Sequence, residues 1–237
     1  VAETVVGATA GAVPPVKGYF KKIREICDTH GVLLILDEVM CGLGRTGSFF
    51  AFEQDDISPD IITVAKGLGG GYQPIGALLC SDQIYEIIYK GSGFFQHGHT
   101  YMGHPIACAA SLAVMRAIID RDLIKNVQEI GDYFESQLAA SLGQHPHVGD
   151  IRGRGLFRGI EIIKDRKTKE PFDPTLRIHA QLKKLTFENG MICYPMGGTI
   201  DGKKGDHILL APPFISTRDD IDKIIRILST SINLLEK

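Results

Sequence analysis

An unbroken aliphatic run, Val32-Leu33-Leu34-Ile35-Leu36, stops abruptly at Asp37-Glu38. Such a run leaves no polar face, so it predicts a strand covered on both sides, as in a parallel α/β sheet. The surroundings agree. Pro14-Pro15 predicts a helix opening there and running to about His30, with Tyr19, Ile23 and Ile26 at helical spacing and Gly31 closing it. Val5-Val6 reads as the end of an earlier strand, residues 60–64 as a second buried strand ending at Ala65-Lys66, and residues 75–79 as a third. Strands alternating with helices in this way predict a mostly parallel or mixed sheet with helices on both faces.

The pattern changes near Asp120. An Ala-rich helix over residues 105–119 is followed by a helix over 123–142 that carries Leu123, Val127, Ile130, Phe134 and Leu138 on one face. Residues 148–163 read as two strands around Gly153 and Gly155. A helix over 175–188 follows, then strands at 191–194 and 207–210, and an amphipathic helix over 217–235 with Thr217 as N-cap and Asp220 completing a capping box. Residues 197–205 read as a flexible glycine-rich loop. The expected division is therefore residues 1–119, part of a large α/β domain, and residues 120–237, a smaller α+β domain.

Charge narrows the function. With 26 basic and 28 acidic residues in 237, the net charge is −2, without the basic excess that nucleic-acid phosphates require. No apolar run approaches membrane-span length. The 5 cysteines are scattered and never spaced as CxxC, which predicts free thiols in a reducing, cytoplasmic compartment and no zinc site. The chain opens at Val1 within a strand-like segment, as expected of the C-terminal part of a longer protein.

In open α/β sheets, ligands sit beyond the carboxyl ends of the strands. Asp37 and Lys66 both occupy such positions, and each costs free energy if buried without a partner. One reading is a plain Asp37–Lys66 ion pair, or two exposed loop residues. The setting of Lys66, Ala65-Lys66-Gly67-Leu68-Gly69-Gly70-Gly71, favours another. It is not a P-loop, because the lysine precedes the glycines, nor a dinucleotide fingerprint, because a strand follows. A lysine at a strand end against glycines suits a Schiff-base nucleophile, an amine kept partly desolvated so that it can attack a carbonyl. A second constellation, Gln96-His97-Gly98-His99-Thr100-Tyr101-Met102-Gly103-His104-Pro105, ends where a helix begins. Backbone N–H groups there and the Thr100 hydroxyl suit a phosphate. Its histidines lack an accompanying carboxylate or cysteine, which disfavours a metal, and a polar loop capping a helix is the alternative.

Taken together, VLLILDEVMCGLGRTG (32–47), AKGLGGGYQPIGA (65–77) and HGHTYMGHPIACA (97–109) resemble the class III, pyridoxal-phosphate-dependent aminotransferases of fold type I. AETVVGA (2–8) and DHILLAPPF (206–214) extend the resemblance over essentially the whole chain. It implies an α/β fold, the PLP-dependent transferase fold type I, with a mostly parallel sheet in the large domain and a smaller α+β C-terminal domain. It implies that Lys66 forms the Schiff base with the cofactor, pyridoxal 5'-phosphate, and moves the proton of the reaction. Asp37 would pair with the ring nitrogen and Val39 would pack on a ring face. Thr100 would reach the phosphate of the cofactor in a partner subunit, making a homodimer with shared active sites, and Glu3 would take an acidic position near the site. The implied reaction moves an amino group from an ω-amino acid or amine donor to a 2-oxo acid such as pyruvate. Where relatives acting on ornithine or 4-aminobutyrate carry a second Glu, this chain has Ala8, and no Arg lies in residues 194–206 to anchor a substrate carboxylate. The family's phosphate loop and a ring-stacking aromatic belong to an N-terminal part that is not in this sequence. Other chemistry on the same scaffold (aminomutase, racemase or decarboxylase) and a truncated subunit without activity of its own are the competing readings.

Overall fold

A computed structural model describes residues 1–236. The chain forms two compact units: residues 1–4, 15–44 and 48–123 make the first, and 5–14, 45–47 and the chain from 124 onward make the second.

The first unit is built on a sheet of β1 (Ala2–Glu3), β2 (Ile35–Asp37), β3 (Ile61–Val64) and β4 (Ala77–Cys80), in that order. The first three strands are parallel and β4 runs antiparallel to β3. Helix α1 (Tyr19–His30) buries Phe20 against Leu34, Leu36 and Phe52. It begins at Tyr19, not at the prolines. A residue preceding proline is pushed away from the helical region, and Gly18 at φ 84 turns the chain only just before the first helical residue. Gly31 closes it in the left-handed conformation, φ 63. β2 is shorter than the apolar run suggested and is not covered throughout. Val32 donates its N–H to Cys27 O in the helix exit, and Val32 and Leu33 are each 55% exposed. The first strand is Ala2–Glu3; Val6 instead bridges Val13 across a short turn. β4 is exposed at all four residues, and α2 (Asp82–Lys90) buries none. α3 (Pro105–Asp120) packs on the short turn Lys66–Gly69.

The second unit carries an antiparallel sheet of β5 (Val148–Arg154), β6 (Phe157–Ile162), β7 (Tyr194–Gly197) and β8 (Asp206–Leu210), ordered β5-β6-β8-β7. Helices α4 (Leu123–Leu142), α5 (Ile178–Glu188) and α6 (Arg218–Asn233) share one core with it, including Phe134, Leu138, Ile160, Leu182, Ile208 and Leu228. β7 lies three residues later than the sequence predicted, because Met191 still donates to Thr186 O at the end of α5. α5 also starts later, at Ile178, after a turn over Pro174–Leu176 and Arg177 at φ 49. Where α4 crosses the β5–β6 turn, a Cβ on Gly131 would stand 2.7 Å from Gly155 Cα, so only glycine allows the backbones this close. Buried Arg158 fastens the crossing by donating to the carbonyls of Gly131, Gly153 and Gly155.

At the start of α6, Thr217 Oγ1 accepts from Asp220 N, and the Asp220 carboxylate accepts from Thr217 N, a complete capping box. Thr217→Ala should cost about 1 kcal/mol of stability, read from urea denaturation followed by circular dichroism.

Candidate active site

Parallel pairing aligns the strand ends of the first unit. Glu3 stands opposite Asp37, and Asp37 opposite Thr63. Glu3 and Asp37 therefore share one edge of the sheet, and Lys66 follows three residues beyond Thr63 on that edge. Asp37 is half-buried, and its Oδ1 accepts the N–H of Val39 at 2.8 Å. Among the described residues its other carboxylate oxygen meets no donor, and no ion pair joins it to Lys66. The plain salt-bridge reading of that pair is thereby set aside.

Lys66 is exposed and has φ 45, a left-handed backbone that side-chain-bearing residues rarely adopt. Ala65 before it is extended, at φ −159, so the chain reverses sharply at the lysine. Gly70 then closes the turn at φ 56, donating to Gly67 O. A Cβ there would stand 2.8 Å from Val114 Cγ2 of α3, so the glycine lets the helix press on the turn. Backbone strain of this kind costs about 1–3 kcal/mol and persists where the surroundings impose it, characteristically at functional sites.

Thr100 lies elsewhere, in the exposed segment ahead of α3. Among the described residues no hydrogen bond or ion pair joins it to Asp37, Val39 or Lys66. The segment borders an open cleft of about 860 Å³ lined by Gln73, Ala77, His97, His99, His104 and Cys108. Among the described residues no three His, Cys, Asp or Glu side chains converge as a metal ion requires.

The geometry adds residues that the sequence left without a role. Glu38 is fully buried beside Asp37. Its position directly after an aliphatic run was the available signal. Arg45 donates to Leu156 O and Pro212 O and lies 4.5 Å from the ring centroid of Phe214; burial pushes its pKa down to about 10. His207, also fully buried, contacts Ala8 O through Nε2 at 2.9 Å and Thr199 Oγ1 through Nδ1 at 2.7 Å. A carbonyl can only accept, so Nε2 carries the proton. No spacing in the sequence announced either contact, because each joins segments far apart along the chain.

The class-III aminotransferase family matches residues 1–232, and the chain belongs to it. An uncharacterized aminotransferase of Schizosaccharomyces pombe is 48% identical over 233 residues, covering 98% of this chain and 50% of that protein. Gamma aminobutyrate transaminase 3 of Solanum lycopersicum is 37% identical over 228 residues, 95% of this chain and 42% of its own length. A PLP-bound aminotransferase mutant from Vibrio fluvialis superposes with a TM-score of 0.91 at 32% identity, over 99% of this chain and 50% of that one. The chain thus spans about half the length of the curated relatives it matches. The family's cofactor is pyridoxal 5'-phosphate. The residues present suit it: among the described residues, an amine without an ion partner on a glycine turn, and a half-buried carboxylate with one oxygen free to accept, both at the carboxyl ends of parallel strands.

Burial, with Arg152 nearby, holds the His207 ring below its ordinary pKa of 6.5, against the pull of its bond to Ala8. The unfolded chain then binds a proton that the folded ring refuses, so this group's contribution to stability falls as pH drops below about 6.5. His207→Gln keeps an N–H for Ala8 O but cannot titrate. Urea denaturation at pH 7.5 and 5.5 should show a smaller loss of stability in the variant than in the parent.

Proposed function

We propose that this chain is the lysine-bearing C-terminal portion of an aminotransferase that moves an amino group from an ω-amino acid or amine to a 2-oxo acid such as pyruvate. One observation carries the reading: Asp37 ends one parallel strand and Lys66, on a strained left-handed backbone, follows the next. Residues 1–119 would belong to the large cofactor-binding domain and residues 120–237 to the small one. The five free cysteines fit a reducing, cytoplasmic setting.

Pyridoxal phosphate, when bound, supplies an aldehyde that captures amines and a ring that takes up electron density from the amino-bearing carbon. The protein's part lies in named atoms. Lys66 Nζ would hold the cofactor covalently and, when free, would take up the proton of the amino-bearing carbon and give it back. The Asp37 carboxylate would accept a hydrogen bond from the ring nitrogen and keep that nitrogen protonated. Its Oδ1 already accepts the N–H of Val39, and the Val39 side chain would pack against the ring. Glu3 lines the same strand edge. Thr100 Oγ1 would donate to the phosphate of the cofactor in a partner subunit, with a homodimer as the working unit.

The trapping experiment uses the full-length protein. Borohydride should fix the cofactor on the peptide containing Lys66, as read by mass spectrometry, and Lys66→Ala should abolish both the adduct and turnover. Normal turnover of Lys66→Ala would sink the proposal.

Substrate choice rests on Ala8, which offers no carboxylate to mask an arginine, and on the absence of arginine from residues 194–206. A panel of donors and acceptors should show preference for amines distant from, or lacking, a carboxylate, with pyruvate as acceptor. The tomato relative is named for 4-aminobutyrate. Strong preference for that donor with 2-oxoglutarate would reverse the inference from Ala8.

A further inference from the structure

We propose that Glu38 is a positioning residue that fixes the direction of Asp37; this rests on the assignment of Asp37 to the ring nitrogen.

Glu38 has no solvent exposure. Burying a carboxylate costs several kcal/mol unless hydrogen bonds replace the lost water. Here donors surround it. Thr4 Oγ1 and Phe52 N donate to Oε1 at 2.6 and 3.1 Å, and Ala51 N donates to Oε2 at 2.8 Å. Cys41 Sγ lies 3.7 Å from Oε2 and 3.6 Å from Asp37 O. The main chain is tied as well: Glu38 N donates to Thr63 O on β3, and Glu38 O accepts from Gly42 N. One residue thus joins the end of β1, the end of β2, the end of β3 and the turn Ala51–Asp55.

The turn that follows packs closely on it. A Cβ on Gly42 would stand 2.8 Å from Glu38 Cβ and 2.9 Å from its Oε2. Successive side chains of extended backbone point to opposite faces. With the Glu38 side chain locked inward, Asp37 is held facing the other way. The ion pairs of exposed residues such as Lys22 and Glu25 have no comparable reach, since they join neighbours on one helix turn.

Burial pushes the Glu38 pKa above its ordinary value, while the bonds from Thr4, Ala51, Phe52 and Cys41 pull it back. Every partner of the carboxylate oxygens is a donor, which suits the ionised form. In Glu38→Gln the shape is kept, but one oxygen becomes an N–H₂ group facing backbone N–H groups, and at least one of those loses its acceptor. Glu38→Asp keeps the charge and falls one methylene short.

The test titrates full-length apoprotein with pyridoxal phosphate and follows the visible absorbance of the bound cofactor against pH, with thermal melting as the control for folding. The variants are Glu38→Gln, Thr4→Val, Asp37→Asn and the double variant Asp37→Asn with Glu38→Gln. Asp37→Asn should weaken cofactor binding and displace the absorbance–pH profile. Glu38→Gln should displace the profile in the same direction and weaken binding about tenfold, equivalent to ~1.4 kcal/mol. In the double variant, binding should be no weaker than in Asp37→Asn alone to within about twofold, because Glu38 acts through Asp37. Thr4→Val removes one donor without altering the carboxylate, and reports the same effect in smaller measure if Glu38→Gln fails to fold. Parent-like affinity and profile in Glu38→Gln, or in Thr4→Val where Glu38→Gln does not fold, overturn the role of Glu38 while leaving Asp37 in place. Losses that add in the double variant do the same. A parent-like Asp37→Asn overturns both assignments.

Discussion

The parallel register of β1, β2 and β3 is the constraint on which the candidate site depends. Pairing Glu3 with Asp37 and Asp37 with Thr63 brings three strand ends to one line, although the residues lie far apart in the sequence. A slip of one residue would turn Asp37 toward the opposite face and exchange its place with Glu38. The register is held where the sheet ends: Thr4 and the turn after Phe50 donate to the buried Glu38 carboxylate, and Glu38 N donates to Thr63 O. The same interaction that keeps the sheet in register therefore keeps the chemistry at its edge.

Much of this was legible from sequence because the signals were local. Gly31 closing α1, the extent of α4 and the Thr217 capping box depend on residues within one or two helical turns of each other, and all appear as read. Asp37 and Lys66 were legible because charged residues directly following apolar strands are conspicuous. Two of the differences share one physical origin. Hydrophobicity does not by itself mean burial in a sheet: Val32 and Leu33 are exposed beside the helix exit, and Met191 is held by the end of α5. The role of Glu38 was hidden because its partners, Thr4 and Phe52, lie 34 and 14 residues away.

The first unit also leaves much apolar surface uncovered. β4 is exposed along its whole length, α2 buries nothing, and Tyr85 and Tyr89 stack on one another at 5.9 Å while more than half exposed. The second unit differs, with its helices and sheet closing on one continuous core. The contrast accords with a chain that spans about half the length of its relatives.

The second unit draws residues 5–14 and 45–47 from early in the chain and combines them with residues beyond 123. Its contact between His207 and Ala8 spans 199 positions, and that between Arg152 and Ala10 spans 142. On a ribosome these early segments emerge long before the strands that receive them. Their distant partners are absent until the intervening chain has been synthesised. Closing such long loops is entropically costly and slow. Assembly of the second unit is therefore a late event in biosynthesis, and the interval before it is when the nascent chain most needs shielding from its neighbours.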